Sequence, residues 1–159
     1  MDRFEGLGVM AAAVCSAVAA VLIPTAVTAA PTYHLITTST PPAPPVSLAP
    51  NDQGYVRVTT ISQAIGCSVA AVIVACETSS DGWPARGDGK PFHTVSVNVD
   101  GELQFVDADL GALEGKVELS PRTYWAQHWT ITAAADAISF TNDRTGHGMR
   151  VSTEKVDSF

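Results

Sequence analysis

The side chains able to do chemistry are few and scattered. His93, His128 and His147 lie in the stretch from residue 55 onward, and His34 lies upstream. Three imidazoles can hold a zinc ion with one position left open for water. Such sites are announced by close spacing, as in H-E-x-x-H, and none of these histidines has it. Gly146-His147-Gly148 reads first as a tight turn, with glycine supplying a backbone conformation that other residues resist. In that reading His147 hydrogen-bonds a backbone carbonyl or a neighbour such as Asp143. The functional reading makes His147 a general base working with Asp143 or another acid, as in a small secreted hydrolase.

Other catalytic patterns fail on spacing. No G-x-S-x-G elbow occurs. Gly87-Asp88-Gly89-Lys90 lacks the Walker spacing and the following Ser or Thr. Asp107, Asp109 and Glu114 lack the glycine and distal glutamate of a calcium loop. Asp88, Asp100 and Asp136 read as turn residues. No catalytic residue, metal or cofactor is assigned. Trp83, Tyr124, Trp125 and Trp129 are the aromatics that could stack on a sugar. Trp125 and Trp129 read as core or core-edge residues. Trp83, before Pro84 in a loop of small polar residues, is the best candidate for exposure. Trp83 and His147 are therefore the candidate binding residues.

The elements that must position them are strands. At 55–60, Val56, Val58 and Thr60 alternate with Arg57 and Thr59. At 93–99, Val95, Val97 and Val99 point inward and Thr94, Ser96 and Asn98 outward. This period of two marks half-buried strands. Asp100-Gly101 then predicts a two-residue hairpin turn with both residues at positive φ, leading into a strand at 102–106. Further strands are expected at 67–70, 73–76, 116–119, 129–132, 138–141 and 149–152. The stretches 63–75 and 124–137 carry alanines that would suit a helix, but their β-branched residues favour strand. A short turn is expected at 123–127. This spacing of short strands predicts an all-β domain over 55–159, a small antiparallel sandwich or barrel.

Cys67 and Cys76 lie nine positions apart. A continuous helix would hold them about 13.5 Å apart at a rise of 1.5 Å per residue, too far to bridge. A hairpin centred on Ala71-Val72 brings them opposite each other, with Cα atoms expected about 5.5 Å apart. The pair is read as one cross-strand disulfide, worth roughly 2–3 kcal/mol for so short a loop. Disulfides persist in oxidising compartments, which points to export.

The chain's N-terminal third agrees with export. Residues 6–23 form an unbroken small and apolar run ended by Pro24. Val27-Thr28-Ala29 then offers the small residues a signal peptidase accepts. Residues 1–30 are read as a signal peptide, with an uncleaved single-span anchor as the alternative. Cys15 lies inside the apolar run, away from a lipoprotein position. Residues 31–54 carry Pro41, Pro42, Pro44, Pro45 and a Thr/Ser run at 37–40, and read as a disordered tether. A formal net charge of −7, with only nine Lys and Arg, excludes a nucleic-acid partner, which needs clustered basic residues.

These features together resemble a group of uncharacterised small exported proteins of mycobacteria and related actinobacteria. The matching residues are Ile65-Gly66-Cys67, Cys76, Trp83-Pro84, Asp100-Gly101, Leu110-Gly111, the segment Thr141-Asn142-Asp143-Arg144-Thr145-Gly146-His147-Gly148, and Phe159. The TGHG segment is the most specific part. Related sequences carry further cysteines where this chain has residues such as Ile131 and Phe140. The resemblance implies placement and fold and brings no activity with it. The reading is an exported module of the cell surface or envelope, binding or structural, whose partner is an envelope glycan, lipid or protein. Its only membrane contact would be an uncleaved N-terminal segment. Sequencing the N terminus of the exported protein is expected to begin at Ala30 or Pro31. Recovery of Met1 or Asp2 in a membrane fraction would establish the anchor instead.

Overall fold

The computed structural model describes residues 42–111 and 114–159. The segment assigned to the signal peptide and the tether up to residue 41 lie outside the described residues. Twelve strands run in order: β1 (Val46–Ser47), β2 (Val56–Thr60), β3 (Ile65–Val69), β4 (Ile73–Thr78), β5 (Thr94–Asn98) and β6 (Leu103–Val106), then β7 (Val117–Leu119), β8 (Thr123–Ala126), β9 (Trp129–Ala133), β10 (Ala137–Asn142), β11 (Gly148–Ser152) and β12 (Val156–Ser158). They form two six-stranded sheets. One has the order β6-β5-β4-β3-β2-β7, the other β1-β8-β9-β10-β11-β12. The fold is the all-β sandwich the periodicity predicts. Two edge pairs, β1–β8 and β2–β7, are parallel, and the remaining pairs are antiparallel.

The alternation explains which residues lie between the sheets. Val56, Val58, Cys67, Val69, Val74, Cys76, Val95 and Val97 come from one sheet. Tyr124, Trp129, Ile131, Ile138, Phe140, Met149 and Val151 come from the other. All belong to one buried cluster. Burying a large apolar side chain of this kind contributes about 1.5–3 kcal/mol. The core therefore supplies the main driving force for pairing the sheets.

Cys67 and Cys76 face each other across β3 and β4 and form a disulfide, with Cα atoms 4.1 Å apart. The separation is shorter than the general expectation because the two residues are directly opposed in an antiparallel ladder, where such pairs approach to about 4.5 Å without a crosslink and the disulfide draws them together. The hairpin turns at Ala71-Val72, with the Ala70 amide donating to the Ile73 carbonyl at 2.9 Å.

Several local expectations change. Asp100-Gly101 is part of a three-residue turn, 99–101, closed by the Asn98 amide to the Glu102 carbonyl at 3.2 Å. Only Gly101 takes positive φ, at 83°, so Val99 leaves the strand and is half-buried. Thr59 and Thr94, expected outward, are buried; each hydroxyl donates to a backbone carbonyl, of Ile65 and of Ala108. Of the stretch 123–127, expected as a turn, residues 123–126 are strand β8. Its turn comes one step later, at Gln127-His128. At the other end of the chain's folded part, Val46–Ser47 joins the sheet beside β8 from within the segment read as tether, and the Leu48 amide donates to the Trp125 carbonyl at 2.8 Å.

Trp83 differs most from its reading. It is 3% exposed, not a loop-tip aromatic. The connection 79–93 leaves one sheet and folds over to the other. There the Trp83 indole N–H donates to the Ser152 carbonyl at 2.7 Å, and the Ser80 hydroxyl donates to the Thr153 carbonyl at 2.9 Å. The ring meets Phe105 of β6 edge-on at 6.0 Å. Gly82 lies so close to Thr153 and Glu154 that a Cβ there would stand 2.9 Å from the Glu154 Cα. Trp83 is a wedge closing the open side of the sandwich between β6 and β11. Trp83→Ala is expected to destabilise the protein by about 3–5 kcal/mol, as large-to-small aromatic substitutions in cores do. Denaturant unfolding measures it, and a loss below about 1 kcal/mol would deny the ring its wedge role.

Candidate functional site

One end of the sandwich gathers four turns: 71–72, 99–101, 127–128 and 143–147. Three hydrogen bonds cross between the sheets there. The Trp129 indole donates to the Ala70 carbonyl at 3.0 Å, and the Gln127 side-chain amide to the Gly54 carbonyl at 2.7 Å. The Thr145 hydroxyl donates to the Val99 carbonyl at 2.6 Å. Between these turns lies a cleft of about 460 Å³. Ala71, Val72 and Val99 form its apolar part, and His128, Asn142, Asp143 and Arg144 its polar part.

The T-N-D-R-T-G-H-G segment builds much of this end. Asn142 is 2% exposed, and its side-chain oxygen accepts from the Arg144 and Thr145 amides, each at 3.2 Å. The Asp143 carboxylate is fully engaged. One oxygen accepts from the Trp125 indole N–H at 2.6 Å and the other from the Thr130 hydroxyl at 2.6 Å. Gly146 takes φ of 76°, the turn conformation the glycines predict. Gly148 does not. Its requirement is space, because a Cβ there would overlap the Phe140 carbonyl oxygen and stand 3.1 Å from the Phe159 ring.

His147 is exposed, and its Nδ1 lies 3.3 Å from the Phe159 carbonyl oxygen. Its Cβ rests against Gly101, where an added Cβ would be only 3.0 Å away. The residue thus joins the β10–β11 turn to the 99–101 turn of the facing sheet. It does not line the cleft, and the carboxylate of Asp143 is committed to Trp125 and Thr130 instead. The three histidines are not brought together: His93 sits at the start of β5, at the opposite end from the 99–101 turn.

Trp125 is the aromatic that the sequence reading placed in the core or at its edge, and it is 40% exposed. Tyr124 and Ala126 point inward, so the strand period turns Trp125 outward. Its indole is pinned by Asp143, and His128 meets it edge-on at 5.9 Å. Gln127 and His128 have φ of 51° and 68°, a pair of left-handed residues that a two-residue hairpin demands and that glycine or asparagine usually supplies. Neither is such a residue, so composition hid the turn. The period of two in Tyr124-Trp125-Ala126 was the available signal.

A second cleft, of about 550 Å³, lies at the opposite end beside Gln63, Glu77, His93, Asp109 and Lys116. Two of its polar side chains are paired with backbone groups. A Glu77 oxygen accepts from the Leu110 amide at 3.3 Å, and His93 Nδ1 pairs with the Thr78 carbonyl at 3.1 Å. Arg86 bridges Asp107 and Asp88 nearby. The Asp88 carboxyl is held below the usual carboxylate value by the Lys90 amide, with the Arg86 guanidinium adding to it.

No family model, curated protein or solved structure matches this chain.

Two substitutions separate the roles within the TGHG turn. Gly148→Val is expected to destabilise by about 2–3 kcal/mol, because a β-branched side chain must displace backbone. His147→Ala removes one exposed hydrogen bond and is expected to cost about 1 kcal/mol or less. Thermal or denaturant unfolding of both variants beside the parent gives the order. The reverse order would make His147 the structural centre of the turn.

Proposed function

We propose that this protein is an exported binding module of the cell surface or envelope, with Trp125 and its surroundings as the contact site and a glycan as the partner. The observation carrying this reading is a tryptophan left 40% exposed on a sheet face with its ring orientation held by a carboxylate. A rigid, half-exposed indole offers an apolar face for the C–H side of a sugar ring, and polar groups at its rim take the hydroxyls. His128 and Thr130 supply such groups beside it. The disulfide is consistent with an oxidising environment, and the resemblance to exported actinobacterial proteins supports placement at the envelope.

The hydrolase reading has less support. It needs His147 and an acid to converge with a substrate in a concave site. Asp143 instead holds Trp125, and His147 faces the Phe159 carbonyl.

The test is a glycan-binding screen with the full exported chain, followed by affinity measurement on any hit. Trp125→Ala is expected to weaken binding by about tenfold or more, equivalent to about 1.4 kcal/mol, the scale of a lost aromatic anchor. Its unfolding midpoint is expected to stay within a few degrees of the parent. Binding untouched by Trp125→Ala would remove the site.

A further inference from the structure

Trp125 does not stand alone on its sheet face. The register aligns it in one row across five strands: Trp125 opposite Thr130, Thr130 opposite Thr141, Thr141 opposite Gly148. Gly148 and Phe159 exchange backbone hydrogen bonds at 3.0 and 3.1 Å, so Phe159 completes the row. Phe159 is 51% exposed and its ring reaches over the gap that Gly148 leaves. Two exposed aromatics thus stand at the ends of one row, with a glycine and two threonines between them. Four strand spacings of ~4.8 Å put their backbones roughly 19 Å apart.

The next row along the strands is polar and ends with Arg150 opposite Asp157. Thr123 faces Thr132, Thr132 faces Ser139, and Ser139 faces Arg150. Thr132 is exposed and Thr123, Ser139 and Thr141 are half-buried on this face, each with a hydroxyl. Each can donate and accept. A sheet presents these groups at strand-spacing intervals on a pleated surface without deep pockets.

Resting on the reading of Trp125 as a glycan contact, we propose that the outer face of the β8–β12 sheet is a platform for an unbranched, uncharged glycan chain. The chain would lie across the strands, with sugar rings stacked on Trp125 and Phe159 and its hydroxyls meeting the threonine and serine rows. Charge selects this occupant. The protein carries a net charge of −7, which opposes an acidic polymer. Of the carboxylates in or beside these rows, Asp143 accepts from Trp125 and Thr130, and Asp157 lies 2.8 Å from the Lys155 ammonium in an exposed pair. Arg150 brings five N–H donors that neutral hydroxyls can accept. Branches would have to stand off a flat surface, so an extended ribbon makes the largest contact.

The experiment is calorimetric titration of the full exported chain with β-1,4-linked glucose and N-acetylglucosamine oligosaccharides, from disaccharide to hexasaccharide. For the parent, the hexasaccharide of a binding series is expected to bind at least about tenfold more tightly than the disaccharide, because a second aromatic engages within the same molecule. In Phe159→Ala that length advantage is expected to fall to about twofold or less while disaccharide affinity is kept, since a single anchor remains. Thr132→Val, on the exposed hydroxyl row, is expected to reduce hexasaccharide affinity selectively and guards against a folding defect at Phe159. An unchanged length advantage in both variants would overturn the platform and leave Trp125 as an isolated contact. If neither series binds the parent but another glycan binds through Trp125, the platform falls and the module reading stands. If no glycan binds at all, both fall.

Discussion

Asn142 is a buried polar side chain, and a group of that kind must find hydrogen-bond partners inside the protein. Its side-chain oxygen finds them in the amides of Arg144 and Thr145, and this fixes the path of the chain between β10 and β11. The rest of the site follows from that path. Asp143 is left facing back along the sheet, where its carboxylate reaches Trp125 and Thr130. Thr145 is turned towards the other sheet and reaches Val99. Gly146 reverses the chain, His147 settles on Gly101, and Gly148 returns in register with Thr141. A polar side chain with 2% exposure thus places the pinned indole on one side and a tie between the sheets on the other.

The sandwich has a second closure far from this turn. Two sheets with open sides expose apolar edges unless something covers them. The connection 79–93 covers one side, held by the Trp83 indole and the Ser80 hydroxyl on backbone carbonyls of 152 and 153. Phe105 and Phe92, with ring centres 5.8 Å apart, continue the packing towards the edge strand β6. The disulfide acts on a different link of the chain of causes. It closes only the β3–β4 hairpin, so it restricts the unfolded chain locally and leaves the joining of the sheets to the core and its wedge.

The sequence made the central strands legible because their burial is one-sided. Val56/Val58/Thr60 and Val95/Val97 alternate in sequence, although Thr59 and Thr94 beside them are also buried, and the cysteine spacing pointed to the hairpin in which Cys67 and Cys76 meet. What stayed hidden depends on partners distant in the chain. Trp83 is buried because the Ser152 carbonyl waits 69 residues downstream. The strand at Val46–Ser47 is two residues long and sits among prolines, so it has no period to read. The turn at Gln127-His128 uses left-handed residues that turn chemistry does not predict. Missing that turn hid β8, and missing β8 left Trp125 misplaced at the core. Gly148 was read with Gly146 as a turn glycine, whereas its constraint is the closeness of Phe140 and Phe159. The candidate site therefore moved along the chain, from Trp83 to Trp125, while the loop segment recognised as distinctive still supplies the side chain that holds it.

The three tryptophans differ in where each indole N–H finds its acceptor. Each has an indole N–H that needs an acceptor. Trp83 and Trp129 donate to backbone carbonyls in the interior, which satisfies the polar atom while the ring takes its full share of burial. Trp125 donates to a surface carboxylate and keeps 40% of its area in water. Leaving a large apolar ring in water forgoes part of the roughly 1.5–3 kcal/mol its burial would contribute. It also orders a side chain that solvent would otherwise leave free to move. Folding alone does not call for that arrangement, since the strand period would accept a threonine at 125 as it does at 123, 130, 132 and 141. Under the glycan reading proposed above, a rigid indole set among hydroxyls would suit a ring with an apolar face and polar rim, because its orientation is established before the ligand arrives.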